Sequence, residues 1–115
     1  MEAKILTKEQ YKNLSKKLID TIEKHYKITA LNTLQHPCYI LKKPIFITIE
    51  IEKDSVIASL DDIESFAYAE TEYEATKHLC EEIINIYEDL KDDKGNLGVL
   101  PRNWLAFLEE VIEKK

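Results

Sequence analysis

Two short segments carry the residue types that bind metals, His36–Pro37–Cys38 and His78–Leu79–Cys80. Two imidazoles and two thiolates could complete a tetrahedral zinc site. Positions 78 and 80, however, lie in a stretch of helical periodicity, where a two-residue separation turns them about 200° apart around the axis. They cannot face one ion, so the spacing predicts neither a metal nor any other cofactor. His78 instead stands four residues from both Glu74 and Glu82, the spacing of surface neighbours on a helix. Two cysteines are too few for a disulfide framework. With apolar neighbours in the chain, Cys38 and Cys80 are both expected to be small core residues.

A second set is acidic. Glu50, Glu52, Asp61, Asp62 and Glu64 surround one predicted hairpin. Carboxylates in pairs can hold Mg²⁺ or move protons. Charge in such places also discourages sheet edges from pairing with other chains. No Ser/His/Asp or Cys/His spacing accompanies the acids, and no glycine-rich loop could cradle phosphate. Without a nucleophile, a base and an oxyanion site in one pattern, the chain is not expected to be an enzyme. The five acids are expected to form a partner-binding surface.

Charge along the chain gives that surface a direction. The 115 residues carry a formal net charge of −6, unevenly spread. Residues 1–43 hold nine lysines against four acids, a net +5, and the remainder holds seven basic residues against eighteen acids, a net −11. An acidic surface speeds encounter with a basic partner. The two halves could also simply neutralise each other. The first segment offers a different reading, since Lys12, Lys16 and Lys17 could touch phosphate. It holds no arginine and few aromatics, which disfavours nucleic-acid binding. No run approaches the ~20 apolar residues of a membrane span. The start "MEAKILTKEQ" lacks the basic and apolar blocks of a signal peptide. A cytoplasmic location is expected.

The elements that must position these residues are legible from their periods. "TKEQ" at Thr7 to Gln10 is a capping box. Tyr11, Leu14, Leu18, Ile22 and Tyr26 follow at helical spacing, predicting a helix over Lys8–Tyr26 that ends near Lys27. "CYIL" (38–41) is a short strand. "IFITIEIE" alternates, with Ile45, Ile47, Ile49 and Ile51 on one face, and "SVIASL" places Val56, Ala58 and Leu60 on one face. A two-residue turn at Lys53–Asp54 sets Ile51 opposite Val56, Ile49 opposite Ala58 and Ile47 opposite Leu60, so turn and pattern agree on register. After the connector "DDIES", "SFAYA" makes a third strand. Thr71, in the capping box "TEYE", opens a long helix to about Leu90 that buries Ala75, Leu79, Cys80, Ile83, Ile84, Ile86, Tyr87 and Leu90. "KDDKGNLG" is a turn region in which Gly95 or Gly98 is expected to supply positive φ. Pro101 can begin a last helix with Trp104, Leu108, Val111 and Ile112 in its stripe.

The prediction is one α+β domain in three parts: an N-terminal helical extension (1–43), a ββ β α core (44–91) and a C-terminal turn and short helix (92–115). The core is a three-stranded antiparallel sheet packed on one long helix. Within it, "ITIEIEKDSVIASLDDIESFAYAETEYEA" resembles the HicB-like antitoxins, and "NLGVLPRNWLAFL" looks like the tail of uncharacterised members of that group. The family core is a cut-down relative of the RNase H fold. The resemblance implies a non-catalytic protein-binding module that neutralises a basic, RNA-targeting toxin. Self-association through a strand edge or the first helix is the alternative. Glu70 stands where the family places a glycine before the threonine, so this joint needs a different turn or carries strain. About a dozen residues follow Arg102, too few for an appended DNA-binding unit, and DNA autoregulation is not expected.

Overall fold

The computed structural model describes residues 26–115. Residues 8–25 of the expected first helix lie outside them. The last two residues of that expectation, Tyr26 and Lys27, are not helical. They open a strand, β1 (Tyr26–Leu31), followed by β2 (Tyr39–Leu41), β3 (Ile45–Ile51), β4 (Val56–Leu60) and β5 (Ser65–Ala69). Helix α1 (Glu72–Asp92), helix α2 (Val99–Val111) and a final strand β6 (Ile112–Lys114) complete the described chain. The main sheet is therefore four-stranded, in the order β1-β3-β4-β5, not three-stranded. β2 and β6 make a separate antiparallel pair. Residues 26–43 thus supply two strands and part of the core, rather than a helical extension.

The β3–β4 hairpin has the register its pattern implied: Ile51 opposes Val56 and Ile49 opposes Ala58. The Glu52 N–H donates to the Ser55 carbonyl at 2.8 Å, closing the turn over Lys53 and Asp54. The free edge of β3 is taken by "YKITAL", which pairs along its whole length from Tyr26 opposite Glu50 to Leu31 opposite Ile45. Pairing with a neighbour that already exists outweighs the helical spacing of Tyr26, as tertiary context commonly does.

The inner face of this sheet is closed by α1, which lies across β4 and β5. Ile47, Ile49, Ala58 and Leu60 are fully buried there, together with Ala75, Leu79 and Ile83 of the helix. Where helix and sheet meet, the residues are small: Ala58 and Ala75 are buried, and Ala67 and Ala69 of β5 are half-buried. Small side chains let a helix sit close to a sheet. The larger residues of β5, Phe66 and Tyr68, consequently point the other way.

The joint between β5 and α1 needs no left-handed residue at Glu70. Among the described residues, only Gln35 and Glu64 have positive φ, both at 53°. Thr71 is extended, and its hydroxyl accepts the Glu74 N–H at 3.1 Å, satisfying one of the helix's first unpaired donors. Lys27 of β1 reaches the start of α1 and pairs with Glu72 at 2.7 Å, tying the edge strand to the helix. The expectation of positive φ at Gly95 or Gly98 is not met, since neither adopts it. Gly98 instead precedes α2 as its extended N-cap.

α2 begins two residues before Pro101 and buries Leu105, Leu108 and Val111, with Trp104 half-buried. Ile112 continues that stripe in sequence but is buried on β6. In the connector, "DDI" forms a 3₁₀ turn (Asp61–Ile63) anchored by Ile63, 1% exposed, and Glu64 takes the left-handed conformation that ends it.

Ser65, opposite Leu60 at the start of β5, is buried, and its hydroxyl has no hydrogen-bond partner among the described residues. Ser65→Ala removes that unpaired group and should raise stability by about 1 kcal/mol. The urea midpoint is the measurement. A fall in midpoint would mean that the hydroxyl has a partner and is not orphaned.

Candidate protein-docking face

The outer face of the main sheet follows from the same registers. Residues directly opposite on paired strands project to one side, so two rows cross all four strands. One runs Tyr26, Glu50, Ile57, Tyr68, and the other Ile28, Thr48, Ser59, Phe66. A partial third row places Phe46 beside Ala30. Ile28, Phe46, Phe66 and Tyr68 are 69%, 66%, 62% and 68% exposed, and Tyr26 45%. Together these five side chains expose on the order of 500 Å² of largely apolar surface, near the upper end of what a typical monomer shows. They are contiguous, with β-branched and hydroxyl residues between them and one carboxylate, Glu50, in their midst.

The sequence-predicted acids are arranged around this surface and not as one patch. Glu50 lies on the outer face itself, and Glu52 flanks it at the β3–β4 turn. Asp61, Asp62 and Glu64 stand at the opposite end of β4, a strand of five residues and hence about 17 Å away. All five side chains are exposed. Glu52 at one end and Asp61, Asp62 and Glu64 at the other frame the apolar surface, and Glu50 lies within it. Its centre, Phe46, Phe66, Tyr68 and Ile28, was not singled out by sequence reasoning. The available signal was that aromatics occupy strand positions opposite the isoleucine and alanine face.

The histidines and cysteines occupy different settings. Cys38 is exposed, contrary to the expectation of a core residue, because the chain before β2 runs over the surface. His36 is occupied locally, its Nδ1 accepting the Cys38 N–H at 3.0 Å. His78 lies on the exposed side of α1, and Cys80 is buried, its thiol donating to the Thr33 carbonyl at 3.8 Å. Burial pushes the Cys80 thiol up to about 11, with the Glu81 charge adding to the effect.

At that value only about one Cys80 in a thousand is a thiolate at pH 8, and the thiolate is the reactive form. A maleimide at pH 8 should therefore label one cysteine, Cys38, in the folded chain and both after denaturation. Mass spectrometry reads this directly, and rapid double labelling of the native chain contradicts it. The same shift gives a pH dependence. The folded chain holds the Cys80 proton more tightly than the unfolded one, so this contribution to stability is complete below pH 9 and is lost as pH rises toward 11. Cys80→Ala should flatten that decline in thermal midpoint.

A third constellation surrounds Tyr39 of β2. Its hydroxyl donates to Glu88 at 3.2 Å, its ring meets Tyr87 edge-on at 5.7 Å, and Lys91 lies 4.7 Å from the Tyr87 centroid and 5.9 Å from that of Tyr39. Burial first, then the hydrogen bond to Glu88, holds the Tyr39 phenol above its usual range. This cluster fastens the β2–β6 pair to α1. The ion pair of Lys43 with Glu110, at 2.6 Å, fastens the same region to α2 and keeps the Glu110 carboxyl below its ordinary range.

Among the described residues no helix is long and apolar enough to cross a membrane. The basic residues Lys12, Lys16 and Lys17, which carried the nucleic-acid reading, lie outside the described residues. The chain matches no family model, no curated protein and no solved structure.

Proposed function

We propose that this domain is a non-catalytic protein-binding module, antitoxin-like in role, which neutralises a basic, RNA-targeting toxin through its outer sheet face. The observation that carries the reading is the surface just described, apolar and aromatic at the centre with acids at its ends. Protein interfaces share that anatomy, an aromatic-rich core within a polar rim. Glu50 within the surface and Glu52, Asp61, Asp62 and Glu64 at its ends steer a cationic partner, while Phe46, Phe66 and Tyr68 anchor it. The likeness of residues 45–90 to the HicB-like antitoxins supplies the class of partner, and the net −11 beyond residue 43 supplies the complementary charge.

The test is co-expression with the product of the adjacent gene. The two should co-purify, and the complex should lose an RNA-cleaving activity that the neighbour shows alone. Glu50→Lys should slow association, most clearly at low salt. A neighbour that neither binds this chain nor cleaves RNA defeats the proposal. Self-association is the second reading, favoured by β1, whose outer edge has no strand beside it among the described residues. Light scattering decides that one: a stable monomer across concentrations eliminates it.

A further inference from the structure

We propose that the occupant of the outer sheet face is an amphipathic helix of a partner protein, about three turns long, with a cationic side chain at each end of its apolar stripe. This rests on the docking role assigned to that face above and adds the shape and charge of what docks. The registers that build the face also give it relief. Its two middle columns carry half-buried side chains, Thr48 on β3 and Ile57 and Ser59 on β4. Its two outer columns carry large exposed ones, Tyr26 and Ile28 on β1 and Phe66 and Tyr68 on β5. The surface is therefore a trough along the strands with aromatic and aliphatic walls, and among the described residues nothing lies across it.

Width selects a helix. The wall strands are three strand spacings apart, about 14 Å, and a helix with its side chains is about 10–12 Å across. A single extended strand, about 5 Å wide, would touch one wall at a time. A second sheet would rest on the walls and leave Thr48 and Ser59 uncovered. A second copy of this chain fits no better, because an isologous contact centred on the trough sets wall against wall and adds acid to acid.

Charge completes the description. Glu50 lies within the trough, opposite Tyr26, and has no ion-pair partner among the described residues. An occupant that covered it with apolar surface alone would bury an unpaired charge, which is unfavourable unless a cation is supplied. An arginine meets both groups there, the carboxylate with its N–H donors and the Tyr26 ring with its flat face. At the far end, beyond Phe46, stand Asp61, Asp62 and Glu64. The two acidic ends are about 17 Å apart, and a helix rises about 1.5 Å per residue, so its cations fall about eleven positions apart. Eleven residues are close to three whole turns, which returns both cations to one face with apolar residues at i+4 and i+7 between them.

Fluorescence anisotropy with a stapled helical peptide tests this on the full-length chain. The peptide, about fifteen residues long, carries arginines at i and i+11 and leucines at i+4 and i+7. A second peptide has glutamates in place of the arginines, and a third, unstapled, has a central proline. The arginine helix should bind at least about tenfold more tightly than either. Glu50→Gln should lower that affinity about tenfold. Ser59→Trp, which raises the floor while adding apolar surface, should abolish binding without moving the NMR signals of Ile47 and Leu79 in the inner core. Equal binding of the three peptides overturns the inference, as does a Ser59→Trp chain that binds as well as the original. A labelled oligouridylate bound more tightly than the arginine helix overturns it in favour of base stacking on the aromatic walls. The toxin reading is judged apart. Peptide binding without binding of the neighbouring gene product keeps the trough and removes the toxin, and a neighbour whose binding ignores Ser59→Trp keeps the toxin and removes the helix.

Discussion

Leu79→Ala should remove about 3 kcal/mol of stability, the middle of the range for a buried leucine whose cavity cannot collapse. Leu79 is 0% exposed and belongs to the core cluster that α1 forms with the inner sheet face. Backbone on both sides is fixed, by helical hydrogen bonds on one and by the four-strand ladder on the other, so relaxation into the void is limited. A loss of that size lowers the thermal midpoint by about 12 °C for a domain of this length. In urea the midpoint should fall with the slope unchanged. Tyr73→Ala, on an exposed part of the same helix, should stay within about 0.5 kcal/mol. A Leu79→Ala cost below about 1 kcal/mol would falsify the assignment of this helix as the cover of the inner face.

If the outer sheet face docks a protein as proposed, Phe66→Ser with Tyr68→Ser should weaken that binding by about a hundredfold or more. Truncating an aromatic anchor at the centre of an interface typically costs about 2 kcal/mol, and these two are adjacent, outward-facing and wide open in the free sheet. Glu52→Ala and Asp61→Ala, at the two ends, should change affinity by no more than about threefold and act on association rate. Calorimetric titration separates the classes. If the end acids matter more than the central aromatics, the docking face is placed wrongly.

The hairpin and α1 were legible because two independent signals agreed at each. Ile45 to Ile51 alternate, and a charged two-residue turn fixes the same register that the alternation demands. Thr71 caps α1 just where the apolar spacing changes from two to between three and four. β1 was not legible because Tyr26 extends the stripe of Leu18 and Ile22, so local spacing argued for helix where pairing with β3 decides for strand. β6 was hidden in the same way, Ile112 following the stripe of Leu108 and Val111 while pairing with Leu41 across the chain. The apolar outer face was not legible for another reason. Alternation identifies which residues share a side, but it does not say what lies against the side opposite the isoleucines. The close seat of α1 on Ala58, Ala67 and Ala69 is what sends Phe66 and Tyr68 outward, and that is a property of packed layers.

The pairing of Tyr39–Leu41 with Ile112–Lys114 draws together stretches of chain separated by the whole hairpin and both helices. Closing so long a loop carries an entropic cost that is offset only after the intervening elements have already brought its ends near each other. This clasp accordingly depends on those elements being in place. Brief openings there would loosen α2 while the four-stranded ladder stays intact, giving the molecule a soft end and a firm one.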